Sequence, residues 1–187
     1  LFCAHVFLHN LVMDKVLVTH LALVRKQVCF DALREAITAH CNAPLREQLL
    51  SHLEGSSESM NDSVAVVPVS LKPFTPEADL FLGLLVLVVL IDKKKLDAAK
   101  LVADSLIAPC SVPGNDLLVC KVYFHFMRVH EQMGKIGACR TVLLSAYRSA
   151  AVHHSSARKA VLINLILRSF FLQGLVDQAL KFSSKVT

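Results

Sequence analysis

Three short segments that recur every 40 residues organise the apolar and polar positions of this chain. They lie at residues 95–99, 135–139 and 175–179. Each segment has a branched apolar residue, then a polar or flexible residue, then small residues, and each follows a long apolar stretch. A helix, a tight turn and a second helix give this order of residues. The pattern therefore predicts an array of helical hairpins, whose core forms only when neighbouring hairpins stack.

The predicted repeat region spans residues 76–187 and contains three hairpins. Thr75, Pro76 and Glu77 are typical of a helix start, with a capping hydroxyl, a proline in the first turn and an acid at the positive helix end. The predicted elements of the first hairpin are a helix at 76–91, a turn at 92–95 and a helix at 96–107. Pro109, Pro113 and Gly114 then separate this hairpin from the next.

The second and third hairpins are predicted from the same spacing. The second starts at Asn115 or Asp116, turns near Gly134 and continues from 136 to about 152. The third starts near Ser155, turns at Gly174 and continues from 175 to the end. Small residues at equivalent positions are expected where the paired helices approach closely: Ala99, Cys139 and Ala179.

Residues 1–54 are predicted to form N-terminal helices. Two helices divided near Arg25 fit the apolar spacing of residues 1–42, and a short helix fits residues 45–53 after a break at 42–44. Residues 55–75 form a polar linker. Within the linker, residues 64–71 alternate in apolar character, so a lone extended piece is an alternative there.

No membrane-spanning segment is predicted. The apolar opening of the chain, residues 1–24, is interrupted by polar and charged side chains such as His5, Asp14 and Lys15, which are costly in hydrocarbon. The run from 80 to 91 contains no charged or polar side chain, but it is shorter than the ~20 residues that a helix needs to cross a bilayer. This run is better interpreted as a helix buried on every side.

Composition excludes a wholly disordered chain, because 54% of the 187 residues are hydrophobic and 19% are charged. The formal net charge is +5, but the basic clusters at 25–26, 93–95 and 158–159 are far apart. Solvated surface groups are therefore favoured over a nucleic-acid footprint, and the cluster at 93–95 can complement a helix C-terminus. Six cysteines without a CxxC pair favour buried thiols in a reducing compartment, with no disulfide or zinc site: Cys3, Cys29, Cys41, Cys110, Cys120 and Cys139.

The sequence gives only weak evidence for residues with a catalytic or metal-binding role. His5 and His9 could share a helix face as metal ligands, but no glutamate of a metalloprotease motif lies between them. His125 and His130 diverge on a predicted helix, and His153 and His154 fall in a predicted turn. The aromatic residues of 123–126 are expected in a core, although base stacking is the alternative: Tyr123, Phe124 and Phe126. Phosphate loops, dinucleotide fingerprints and nucleophile motifs are absent, so no catalytic, cofactor-binding or metal residue is predicted and the chain is not expected to be an enzyme.

Several strings from residue 75 onward resemble the non-ATPase regulatory subunit 3 family of the eukaryotic proteasome lid. They comprise Pro76-Glu77 leading into residues 84–88, then 92–100, 121–125 and 160–168, and finally Asp177-Gln178-Ala179. The likeness covers about 110 residues well and weakens between 23 and 39. Residues 1–20 show no match.

The resemblance implies a right-handed α-α solenoid of TPR-like hairpins, followed in the family by a C-terminal PCI module. No such module occurs in residues 1–187, so the chain is expected to be a fragment or an abbreviated version. The family also implies a non-catalytic scaffold that supports ubiquitin-dependent degradation in the cytoplasm and nucleus. Its expected partners are other lid subunits and the base of the regulatory particle, without nucleic acid, membrane or a small-molecule substrate. A subunit of another PCI assembly, the signalosome or a translation initiation complex, and an RNA-binding helical repeat remain alternatives.

Overall fold

The computed structural model describes residues 30–41, 43–54, 76–111 and 115–186, and every regular element in these ranges is helical. The helices are α1 (Phe30–His40), α2 (Ala43–Glu54), α3 (Pro76–Asp92), α4 (Leu96–Ile107), α5 (Asp116–Gln132), α6 (Ile136–Val152), α7 (Ser156–Leu172) and α8 (Val176–Val186), with a 3-10 turn at Pro109–Ser111. They divide into two compact units between Pro109 and Cys110, with α1 to α4 in the first unit and α5 to α8 in the second.

In the first unit, α3 is buried on all sides, as the sequence predicts for residues 80–91. Helices α1, α2 and α4 all contact it, and its side chains at 84, 86, 87 and 90 are fully buried. A Cβ added at Gly83 would lie 2.5 Å from Leu106 Cδ2, so the missing side chain lets α3 and α4 approach closely. Among the described helices, none combines the length and the apolar content that a membrane span requires.

In the second unit, each helix packs against the next one, and α5 also packs against α7. Contact between both adjacent and alternate helices is typical of stacked helical repeats, because each helix is covered by its partner and by the following hairpin. Leu143, Leu162 and Ile166 are among the side chains that this stacking buries completely.

Four turns between helices share one hydrogen-bond pattern. After α5, Lys135 N donates to His130 O at 2.9 Å and Gly134 N donates to Glu131 O at 3.1 Å, and the turns after α3, α6 and α7 repeat both bonds. This is the Schellman motif, in which one residue takes left-handed torsions. That residue has a positive φ in every turn: Lys94 (57°), Gly134 (70°), His154 (53°) and Gly174 (70°).

The turns give the helices a regular stride. Helices α3 to α8 begin at residues 76, 96, 116, 136, 156 and 176, so the 40-residue repeat consists of two 20-residue units. The turn positions predicted near Lys94, Gly134 and Gly174 agree with this arrangement. Ser155 caps α7, as Asn115 caps α5, by accepting a hydrogen bond from the amide three residues later.

The structure describes only part of the region in which the N-terminal helices and the linker are predicted. Helix α1 (Phe30–His40) lies within the second half of residues 1–42, and α2 occupies the predicted 45–53 region with Pro44 in its first turn. The first predicted helix, the division near Arg25, the alternating segment 64–71 and the Thr75 cap lie outside the described residues. The division into 1–54, a 55–75 linker and 76–187 stays a prediction.

Candidate protein-interaction surface

The two histidines on α5 have different environments. His130 is buried, and the distance between its Nδ1 and Phe126 O is 3.0 Å, while its ring lies 4.4 Å from the Phe126 ring. His125 is partly buried and lies edge-on to Phe124 at 5.3 Å. The structure therefore does not bring them together as a pair of bases or ligands.

His153 and His154 lie exposed in the α6–α7 turn, where the sequence predicts them. His5 and His9 lie outside the described residues. Within the ranges that the structure describes, no group of three or more His, Cys, Asp and Glu side chains is placed to hold a metal ion.

The predicted aromatic core at 123–126 is wrong for Phe124. Tyr123 and Phe126 are buried, but Phe124 is 45% exposed. Helical rotation explains the difference, since the buried side of α5 carries residues 122, 126, 129 and 130, and Phe124 points away from that side.

The described cysteines are buried free thiols. Loss of hydration on burial raises the pKa of Cys41 and of Cys110 to about 12, although Arg158 opposes the shift at Cys110. Burial likewise raises the pKa of Cys139 to about 11, and its Sγ donates to Met127 Sδ at 3.1 Å. These thiols stay protonated at neutral pH and pack as small apolar groups. Cys3 and Cys29 lie outside the described residues.

Arg158 corrects the expectation that the 158–159 cluster is a solvated surface group, because this arginine is only 5% exposed. Its Nε lies 2.6 Å from Asp116 Oδ1, and its Nη1 donates to Cys110 O at 3.2 Å. Ser155 Oγ also donates to Asp116, to Oδ2, at 2.5 Å. The group thus joins the N-terminus of α5, the preceding 3-10 turn and the first turn of α7. Sequence spacing carries no sign of this contact, since its partners are 42 and 48 residues from Arg158.

Two further arginines join neighbouring helices of the second unit. Arg140 on α6 donates to Ser169 Oγ at 3.0 Å and to Ser169 O at 3.1 Å, and it also bonds Gln173. Its guanidinium lies 4.3 Å from the centre of the Phe170 ring. On α7, Arg168 binds both carboxylate oxygens of Glu131, which raises the pKa of the arginine. Both arginines therefore fix the position of α7 against the helices before it.

A group of large apolar side chains is exposed around the last turn. We call it the terminal patch; its residues and exposed fractions are Phe171 (59%), Leu172 (50%), Val176 (49%) and Leu180 (65%). Isolated exposed apolar residues are ordinary, but several adjacent ones indicate an interaction site.

The internal repeat indicates what kind of element fits the terminal patch. Forty residues earlier, Phe171 corresponds to Glu131 and Leu180 corresponds to Arg140. Both of these earlier residues bond to α7, the first helix of the following hairpin. The terminal patch therefore has the position and the apolar chemistry to contact a further helix.

Comparison with known proteins gives the family. A family model described as PSMD3-like, N-terminal TPR repeats matches residues 7–187. The chain belongs to this family. The PSMD3-like match starts well before residue 20, so the expectation that residues 1–20 are unmatched is wrong from residue 7 onward. The family match agrees with the all-α, TPR-like fold of the described helices.

The PSMD3-like chain is similar to curated proteasome subunits from several organisms. A probable 26S proteasome non-ATPase regulatory subunit 3 from Nicotiana tabacum is 34% identical over 113 residues, 59% of this chain and 23% of the relative. The Drosophila melanogaster protein of the same name is 37% identical over 120 residues, 63% of this chain and 24% of the relative. The Anopheles gambiae protein is 30% identical over 172 residues, 88% of this chain and 34% of the relative. The chain thus spans about a quarter to a third of these relatives.

Proposed function

We propose that the chain is a non-catalytic scaffold component of the 26S proteasome regulatory particle lid. Its role is to support ubiquitin-dependent protein degradation by holding other subunits in place. The observation that carries this proposal is the PSMD3-like match over residues 7–187, together with relatives named as non-ATPase regulatory subunits. No catalytic, cofactor-binding or metal-ligating residue is assigned.

The interior and the surface of the second unit support a binding role. Its described thiols and its buried arginine are used in packing, whereas the terminal patch exposes four large apolar side chains that another protein can cover. The expected partners are other lid subunits and the base of the regulatory particle. The expected compartments are the cytoplasm and the nucleus, where these partners would act.

Native affinity purification tests the proposal. The tagged 187-residue chain is expressed in cells and recovered under mild conditions, and the recovered proteins are identified by mass spectrometry. We expect lid and base subunits at nearly stoichiometric amounts. Recovery of signalosome or translation initiation subunits instead would assign the chain to another PCI assembly, and a preparation without regulatory-particle subunits would contradict the proposal.

A paired variant tests whether the terminal patch makes the contact. Phe171→Ser combined with Leu180→Ser removes two exposed apolar side chains, and we expect recovery of regulatory-particle subunits to fall about tenfold or more. Leu101→Ser is the matched control, because Leu101 is 57% exposed on α4 and lies outside the patch. Equal recovery with the double variant and the control would show that the terminal patch is not the contact.

A further inference from the structure

Helix α8 carries two adjacent rows of exposed side chains that differ in chemistry. Val176 and Leu180 are four residues apart and form the part of the terminal patch that lies on α8; we call them the apolar row. Asp177 and Lys181 are also four apart and exposed, and they form a charged row directly beside the apolar row. The buried Ala179 lies on the other side of the apolar row. The apolar row thus borders the packed side of α8 and the charged row faces outward.

Two copies of α8 in antiparallel orientation are complementary in both rows. When a two-fold axis relates two helices, each row faces the same row of the other copy, running in the opposite direction. The apolar row then packs against itself. In the charged row, Asp177 of each copy lies opposite Lys181 of the other. A parallel pair would instead place Asp177 opposite Asp177 and Lys181 opposite Lys181, which is unfavourable.

We propose that two copies of this chain pair through the terminal patch, with their α8 helices antiparallel about a two-fold axis. Removal of Val176 and Leu180 from water supplies the favourable free energy. The two Asp177–Lys181 ion pairs fix the orientation and the register of the helices. Because both copies use the same patch, association stops at two chains.

The pairing goes beyond the proposed function and does not depend on it. It is a property of the chain alone, whereas the proposed function concerns other subunits of the regulatory particle. The two contacts exclude each other, since a patch that is covered by a second copy cannot contact a regulatory-particle subunit at the same time. The homodimer therefore withholds the terminal patch until another subunit displaces the second copy.

The size and the charge of this surface limit the affinity. Helix α8 has 11 residues and is therefore about 16 Å long, too short to bury the ~800 Å² per partner of a standard interface. Residues 110–187 also contain ten Lys and Arg against three Asp and Glu, so two such units repel each other. We therefore expect a Kd of about 10–100 µM at about 150 mM NaCl, which screens most of this repulsion.

Sedimentation equilibrium of the purified 187-residue chain tests the pairing. We expect the mean mass to rise from that of one chain to that of two between about 1 and about 500 µM, and to rise no further. Leu180→Ser is expected to raise the Kd about tenfold or more. Leu101→Ser is the matched control, because Leu101 is 57% exposed on α4, and it should change the Kd less than about twofold.

Exchange of the charged row tests the antiparallel register. Asp177→Lys and Lys181→Asp each place like charges opposite one another, and each is expected to raise the Kd about threefold or more. The double variant restores opposite charges and should return the Kd to within about twofold of its original value. Arg128→Asp, at an exposed position on α5, controls for the change in net charge and should leave the Kd within about twofold. Circular dichroism of each variant establishes that it is folded.

Three results would each overturn the pairing: a chain that stays monomeric up to the highest concentration, a mass that grows beyond two copies, or equal effects of Leu180→Ser and Leu101→Ser. A double charge variant that fails to recover would overturn the antiparallel register. Recovery of regulatory-particle subunits from cells is a separate measurement, so failure of the pairing and failure of the proposed function are distinguishable.

Discussion

At the scale of single residues, one carboxylate balances the charge of a buried arginine. The side chain of Asp116 is 38% exposed, whereas that of Arg158 is only 6% exposed. Loss of the aspartate charge therefore leaves the arginine without a counter-charge in a poorly hydrated site. Removing one partner of a buried pair costs more than the pair contributes, because the remaining charge has no compensation. The partial exposure of Asp116 moderates this cost.

We therefore expect Asp116→Asn to lower the free energy of unfolding by ~2–4 kcal/mol. The measurement is urea denaturation at neutral pH, followed by circular dichroism. Asp104→Asn is the control, because Asp104 pairs with Lys100 at 2.8 Å on the surface of α4 and its loss should change stability by less than ~0.5 kcal/mol. Similar losses for both variants would contradict the role given to Asp116.

At the scale of elements, the turns differ in how well their residue suits left-handed torsions. Gly134 adopts φ 70° without strain, but Lys94 adopts φ 57° with a Cβ that makes this region unfavourable. A Cβ added at Gly134 would meet nothing within 4 Å, so only backbone conformation decides the effect of substitution there.

Exchanging these residue types should therefore have opposite effects. Gly134→Ala is expected to lower the free energy of unfolding by ~1 kcal/mol, and Lys94→Gly to raise it by ~0.5–1 kcal/mol. Thermal unfolding followed by circular dichroism measures both. If Lys94→Gly destabilises the chain as much as Gly134→Ala does, strain at residue 94 is excluded as the explanation.

Close approach of paired helices depends on small residues. Ala99, Cys139 and Ala179 occupy equivalent places in the repeat and are 0–2% exposed. Ala99→Leu is expected to overpack the contact of α4 and to cost ~1–3 kcal/mol in urea denaturation. Ala138→Leu, at an exposed position, is the control and should change stability by less than ~0.5 kcal/mol. An unchanged stability for Ala99→Leu would contradict this packing.

Local chemistry explains which features the sequence predicts well. Asn115, Ser155, Gly134 and Gly174 act through their own backbone neighbours, so the helix starts and turns that depend on them are predictable. Burial is decided by helices far away in sequence. Sequence spacing therefore wrongly predicts a surface position for Arg158 and a core position for Phe124, because their environments depend on residues that no short spacing connects.

The same distinction applies to the candidate surface. The 40-residue repeat predicts where hairpins turn, but it gives no measure of how much of Phe171 or Leu180 the neighbouring helices cover. Their exposure is decided by the packing of α7 and α8.

At the scale of the whole molecule, both units bury acidic groups that must stay neutral. Cys41 lies in the first unit, and Cys110, Tyr123 and Cys139 lie in the second. Burial raises the pKa of Tyr123 to about 12, alongside values of about 11 to 12 for the three thiols. In the unfolded chain these groups ionise at their ordinary pKa values, 9.0 for cysteine and 10.0 for tyrosine.

Stability should therefore fall as the solution becomes alkaline. Above about pH 9 the unfolded chain binds fewer protons than the folded chain, so ionisation favours unfolding, and the loss continues until the folded-state pKa values are reached. We expect the thermal unfolding midpoint to be level from about pH 7 to 8.5 and to decline between about pH 9 and 11. Cys110→Ala combined with Cys139→Ala removes two of these groups and should make the decline shallower. Because surface lysines titrate equally in both proteins, a decline of identical slope in the double variant would exclude the buried thiols as its cause.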